Sequence, residues 1–152
     1  MSIVFEIGIA EKNNKEIQRK ETIEVIASKG IVGDRYFHDF NGDREQITLI
    51  ESENIDYYNR TFGTNFNYLV FRRNIVTKGI ELNNLVGNNI LIGDVKLKVT
   101  DLCRPCKNLQ DRLGQNNIIK EFLKRGGLRC EILTSGTIHV GNKIKVKPLQ
   151  DN

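Results

Sequence analysis

The stretch VTDLCRPCKNLQDRLG, residues 99–114, places Cys103 and Cys106 three positions apart, between an alternating apolar run and a short helical one. Three kinds of chemistry use such spacing. A dithiol redox pair needs a thioredoxin-like βαβ setting, but the flanks here are not of that pattern and no proline follows until Pro148. A structural zinc site needs four ligands. Cys103, Cys106, Cys130 and His139 would have to supply them, yet Cys130 and His139 fall in separate alternating runs, where a buried thiol and a surface imidazole are the commoner outcomes. A single thiolate at Cys106 needs only a helix start whose free N–H groups favour negative charge. Pro105 stands at a first helical position and Arg104 and Lys107 flank the thiol. A thiolate is both a nucleophile and a soft metal ligand. The sequence thus points to Cys106 as the working thiol, with Cys103 turned inward by the alternation that starts at Val99.

Two further stretches carry groups that bind anions. KGIVGDRYFHDFNGDREQITLI gathers Asp34, Arg35, His38, Asp39, Asp43 and Arg44 in one glycine-punctuated polar loop. Arg35 and Arg44 can grip a phosphate through paired N–H groups, and His38 can donate to an anion or ligate a metal. FRRNIVTKGIELNNLVG sets Arg72, Arg73, Asn74, Thr77 and Lys78 around a short apolar core. Brought beside Cys106, the two stretches would form a basic pocket around one thiolate. Taken singly, each of these residues is equally at home on a solvated surface loop.

The elements that must position these groups are mostly strands. Period-two alternation marks 3–10, 21–28, 89–100, 129–134 and 137–147. Gly-Asp in LIGDVKLKV and Gly-Asn in HVGNKIKVK each predict a hairpin turn. Three short helices are expected: from a Ser52 cap to Gly63, from Pro105 to Gly114 with Leu109 above Leu113, and from an Asn117 cap to Gly126 with Ile118, Ile119, Phe122 and Leu123 on one face. Strands and helices do not alternate regularly. The expected fold is therefore mainly β, a barrel-like single domain over 1–152 with mostly antiparallel strands and peripheral helices.

Bulk composition narrows the partners. At 152 residues, 39% hydrophobic and 28% charged, the chain can bury a sizeable core. The opening MSIVFEIGIAEKNNKE is broken by Glu6 and lacks a basic leader, no run approaches the ~20 apolar residues of a membrane span, and three cysteines are an odd count, so a cytoplasmic protein is expected. A net charge of +4 favours anionic ligands. The basic residues are interleaved with acids and match no recognition motif, which argues against nucleic acid.

In order along the chain, GIVGDRYFH…REQITLIE, RNIVTKGIELNNLVGNNILIGDVKLKVTDLCRPC and GTIHVGNKIKV resemble the MOSC family, named for the molybdenum cofactor sulfurase C-terminal domain. The resemblance spans nearly the whole chain and is closest to the short, stand-alone bacterial members. It implies a MOSC-type β-barrel and a site around the family's cysteine, which falls on Cys106. In family members that cysteine carries sulfur as a persulfide or ligates the molybdenum of a pterin cofactor. Asp34, His38, Asn74 and Thr77 match other family positions and would line the pocket, with Arg35, Arg44 and Arg73 neutralising the cofactor's phosphate. The implied protein is a molybdenum-cofactor-linked sulfur transferase or oxidoreductase component, working with a desulfurase or a molybdenum cofactor biosynthesis protein; no use of pyridoxal phosphate by this chain is expected. The alternative is a non-enzymatic β-barrel module binding another anionic ligand or a protein partner, in which Cys106 only packs.

Overall fold

A computed structural model describes residues 1–12, 15–39 and 46–147. The alternating runs become β1 (Ile3–Ile9), β3 (Thr22–Ile26), β7 (Asn89–Ile92), β8 (Val95–Leu102), β9 (Leu128–Ile132), β10 (Gly136–His139) and β11 (Ile144–Lys147). Between them lie β2 (Gln18–Lys20), β4 (Gly30–Ile31), β5 (Ile47–Glu51) and β6 (Ile75–Lys78). Eight strands form one sheet in the order β11-β7-β8-β9-β5-β6-β1-β2, and β10-β3-β4 form a second. The large sheet curls back on itself: Val4 N–H donates to Asn142 at 2.9 Å and Ile144 N–H to Ser2 at 2.9 Å, joining the start of β1 to the entry of β11.

Two apolar clusters follow. One fills the space between the sheets with Val4, Ile7, Leu49, Ile75, Leu97, Val99, Cys130 and Ile138 among others. The second lies on the outer side of β5 and β6, where Ile50 and Val76 meet Tyr58, Phe71, Leu109 and Phe122. Successive side chains of a strand point to opposite faces, so β5 and β6 are buried on both. They are also the parallel pair, aligned Leu49 to Ile75 and linked by α1 (Ser52–Phe62). Such strands read as continuous apolar runs, and the alternation that revealed the other strands is missing from them.

Three sequence expectations need correction. The run 137–147 is not a hairpin: β10 pairs with β3 and β11 with β7. Gly141 at φ 93° lets the chain cross between the sheets, and Asn142 Oδ1 accepts from His139 N–H at 2.7 Å across the turn. Ser52 opens α1 as its first residue, with Glu51 preceding it in an extended conformation, while Gly63 ends the helix left-handed as expected. The third helix, α3, is only Ile118–Glu121. Asn117 spends its side chain as acceptor for the Tyr58 hydroxyl rather than as a cap, and Ile119 and Leu123 face solvent while Ile118 and Phe122 are buried.

Candidate functional site

The cysteine loop leaves β8 at Leu102 and is pinned at once, because Cys103 N–H donates to Gly127 at 2.7 Å. Two glycines make that contact possible. A Cβ at Gly126 would lie 2.2 Å from the Cys103 carbonyl oxygen; one at Gly127, whose φ is 96°, would lie 1.8 Å from that of Leu49. No larger residue allows this approach of backbone to backbone. Cys103 is buried as a result, whereas Cys106, three positions on, is exposed.

Cys106 has extended backbone (φ −123°, ψ 168°) and immediately precedes α2 (Lys107–Leu113). Its carbonyl accepts from Gln110 N–H at 3.1 Å, the bond that opens the helix. Pro105 therefore lies before the helix and not at its first position; with its ring it stiffens the approach to Cys106 instead. On α2, Asn108 and Arg112 fall four apart on one face. That face, together with Cys106, forms one wall of a cavity of ≈ 380 Å³.

Among the described residues six arginines line this cavity, Arg35, Arg72, Arg73, Arg104, Arg112 and Arg129, and no carboxylate does. Their anchors come from behind the wall. Arg73 donates through Nε to Gly126 at 2.9 Å and through Nη1 to Phe71 at 3.1 Å. Arg72 donates through Nη1 to Lys15 at 2.7 Å and is itself held left-handed, at φ 65°. Burial, then the neighbouring charges of Arg35 and Arg112, push the Arg72 pKa below its ordinary value. The guanidinium groups thus feel one another, the state that an incoming anion relieves. Arg35 Nη1 is buried without a hydrogen-bond partner among the described residues; Asp34 Oδ1 is 3.6 Å away, an ion pair too long for a hydrogen bond. A buried N–H left without an acceptor costs about 1–3 kcal/mol, a cost that a bound anion would remove.

The other residues singled out in the sequence are placed as follows. Asp34 is buried beside the cavity and accepts from Ala10 N–H at 3.1 Å and Tyr36 N–H at 3.3 Å, which shapes the loop that carries Arg35. Asn74 lines the cavity and is a three-way clamp: Nδ2 donates to Gly8 at 3.1 Å, and Oδ1 accepts from Thr48 N–H at 3.1 Å and Thr48 Oγ1 at 3.2 Å. Thr77 is fully buried in β6, reaching Ile50 at 3.4 Å, and His38 is exposed; neither lines the cavity. Arg44 lies outside the described residues.

Cys130 is fully buried in the barrel, paired across the sheet with Ile47 and Val99, and burial pushes its thiol pKa up. His139 is on the surface with Nδ1 2.9 Å from Thr22 Oγ1. Among the described residues no three His, Cys, Asp or Glu side chains are placed to hold a metal ion.

Sequence reasoning did not single out Thr48, Asn108, Arg112 or Arg129. Two of them left a signal. Arg112 is one helical turn from Asn108, and Arg129 alternates with Cys130 so that one faces the cavity and the other the barrel interior.

Comparison with known proteins places this geometry. A sequence model of the MOSC domain matches residues 37–145. The fold is similar to that of the YuaD protein from Bacillus subtilis, with a TM-score of 0.83 and 19% identity over 99% of this chain and 98% of that one. YiiM from Geobacillus stearothermophilus aligns with a TM-score of 0.79 and 16% identity over 96% of this chain and 75% of its own. YiiM from Escherichia coli aligns at 0.69 and 18% identity, over 95% and 67%. A search of curated protein sequences found no match.

Proposed function

Because this chain belongs to the MOSC domain family, we propose that its arginine-lined cleft receives molybdenum cofactor or a precursor of it, and that Cys106 is the thiol that meets the metal or carries sulfur. The observation that carries this reading is the pairing, among the described residues, of an exposed thiol with six arginines and no carboxylate in one cavity of ≈ 380 Å³. Arg35 and Arg73 are the leading phosphate contacts, since each is oriented by the protein before any ligand arrives. Asn74 fixes the wall and offers its edge to the ligand's polar rim; Asp34 holds the Arg35 loop. His38 and Thr77 act on the site only through the loop and strand that carry them, and Arg44 is proposed on its charge alone.

The donor set fits a metal that brings its own ligands. A bare ion needs several protein donors, and none are clustered among the described residues. A pterin-bound metal needs one thiolate and a sink for its phosphate. When bound, the cofactor would supply redox chemistry that no side chain here possesses. The chain's own part is to bind the phosphate, present Cys106 and exclude carboxylates that would repel the ligand.

The sulfur-carrier form of the proposal uses the same atom. The Cys106 thiolate attacks the outer sulfur of a donor persulfide, the new S–S bond forms as the donor's S–S bond breaks, and the donor leaves as its thiolate. A desulfurase persulfide would be the donor. The working place is expected to be the cytoplasm, and no helix among the described residues is long and apolar enough to cross a membrane.

Protein purified from a molybdate-replete host that makes the cofactor is expected to carry molybdenum and pterin, with Cys106→Ser losing the metal. If neither copurifies and reconstitution with released cofactor fails, the cofactor reading is withdrawn in favour of a module for another anion. Radiolabelled sulfane sulfur from a desulfurase should label the wild type and not Cys106→Ser; equal labelling rejects the carrier role.

A further inference from the structure

Arg72 and Arg112 line a second cavity as well, one of ≈ 840 Å³. Its volume is within the roughly 300–1,000 Å³ of ordinary small-molecule sites. The two spaces differ in charge. Among the described residues no carboxylate lines the cysteine cleft, but Glu6, Glu16 and Asp56 line the larger cavity. Arg72 and Arg112 are the basic residues common to both cavities; Arg19 also lines the larger one and is paired there with Glu6. Ile17, Phe66, Leu69 and Leu113 add an apolar and aromatic lining.

The acidic end is organised. Asp56 accepts from the Tyr68 hydroxyl at 2.6 Å, and Glu6 is held by Arg19. That hydrogen bond, burial and the negative charges of Asp56, Glu6 and Glu53 raise the Tyr68 pKa to about 12. The Asp56 carboxylate, held by the Tyr68 hydroxyl, keeps acceptor capacity for a cation or an amino group.

We infer that the larger cavity seats a second, amphoteric small molecule, its anionic group on Arg72 and Arg112, its flat apolar body over Phe66 and Leu113, and its amino group toward Asp56 and Glu16. Arg72 and Arg112 then face both ligands and hold the second one next to the cysteine cleft. Any part of this molecule in the chemistry of Cys106 rests on the cleft holding the anionic cofactor; the second binding site itself does not.

The test uses three probes: para-(aminomethyl)benzoate, which has both charges, benzoate and benzylamine. Each is titrated into the full-length protein while amide NMR shifts of Asn67, Tyr68, Leu69 and Val70 are followed. The amphoteric probe should bind about fivefold more tightly than either half, the gain expected of one partly exposed ion pair. Arg112→Gln should reduce its affinity to that of benzylamine, and Asp56→Asn, which keeps an acceptor for Tyr68, to that of benzoate. Equal affinities for the three probes, no shifts in this segment, or variants that bind like the wild type would overturn the inference. Inorganic phosphate shifts at Arg35 and Arg73 report the cysteine cleft separately. Phosphate shifts without probe shifts remove the second seat alone, and probe shifts without phosphate shifts remove the anion reading of the cleft alone.

Discussion

Arg129 and Cys130 are neighbours in β9, yet they belong to two different solvents. The Cys130 thiol is sealed among Ile47, Val99 and the rest of the barrel interior, where burial keeps it protonated. The Arg129 side chain turns the other way, into the cleft that also holds exposed Cys106. Strand alternation makes this partition at no cost in sequence length. The same residue type, cysteine, is inert on one side of the sheet and available for chemistry on the other, so what separates a structural from a functional thiol here is which side of the wall it falls on.

Backbone meets backbone most tightly in that wall at Gly127, and the largest effect is expected there. Gly127→Ala places a methyl 1.8 Å from the Leu49 carbonyl oxygen at φ 96°. It should cost about 4 kcal/mol or more in urea unfolding, the range reserved for severe backbone conflict, and should open Cys130 to alkylation. Asn74→Ala removes the clamp on Gly8 and Thr48 and leaves buried partners unsatisfied, so a loss of about 3 kcal/mol is expected by the same measurement.

The two thiols sharpen the contrast directly. Cys130→Ser buries a hydroxyl in an apolar core and should cost about 1–3 kcal/mol, whereas Cys106→Ser should stay within about 0.5 kcal/mol of the wild type. Equal losses would erase the distinction between the two regions.

The smallest effect is a pH dependence at the end of β5. Burial first, then repulsion from Glu53 and Glu81, raises the Glu51 pKa above its ordinary 4.5 against the opposing bond from Leu82 N–H and the charge of Arg125. The folded state therefore holds this proton more tightly than the unfolded one. Its stabilising contribution is fully present below 4.5 and is lost as pH rises through the folded value. Glu51→Gln keeps an acceptor for Leu82 and lacks that loss, so thermal unfolding should show the variant gaining on the wild type above pH 4.5 and no further once Glu51 is ionised.

Much of the barrel was legible because its strands have one oily and one wet face, as in β3, where Ile23 and Val25 are buried between exposed Thr22 and Glu24. β5 and β6 hid because both their faces are covered. The crossing at Gly141 hid because a glycine turn looks alike whether the strands that flank it pair or part. Cys106 and the Arg72–Arg73 pair stood out by residue type. Arg112 and Arg129 did not, because one reaches the cleft from α2 and the other from β9, held by its pairing with β8 and β5, and only the folded chain brings the two together.

The most direct measurement compares the rates at which iodoacetate and iodoacetamide alkylate each cysteine of the native protein, resolved by peptide mass spectrometry and divided by the same ratio for N-acetylcysteine amide. The thiolate fraction cancels in that ratio, which leaves the local potential felt by the anionic reagent. The account predicts that Cys106 alone reacts, with a ratio raised of the order of tenfold at low salt, falling with added salt and with Arg112→Gln. A ratio at or below the reference value, or a native Cys106 as unreactive as Cys130, would contradict it.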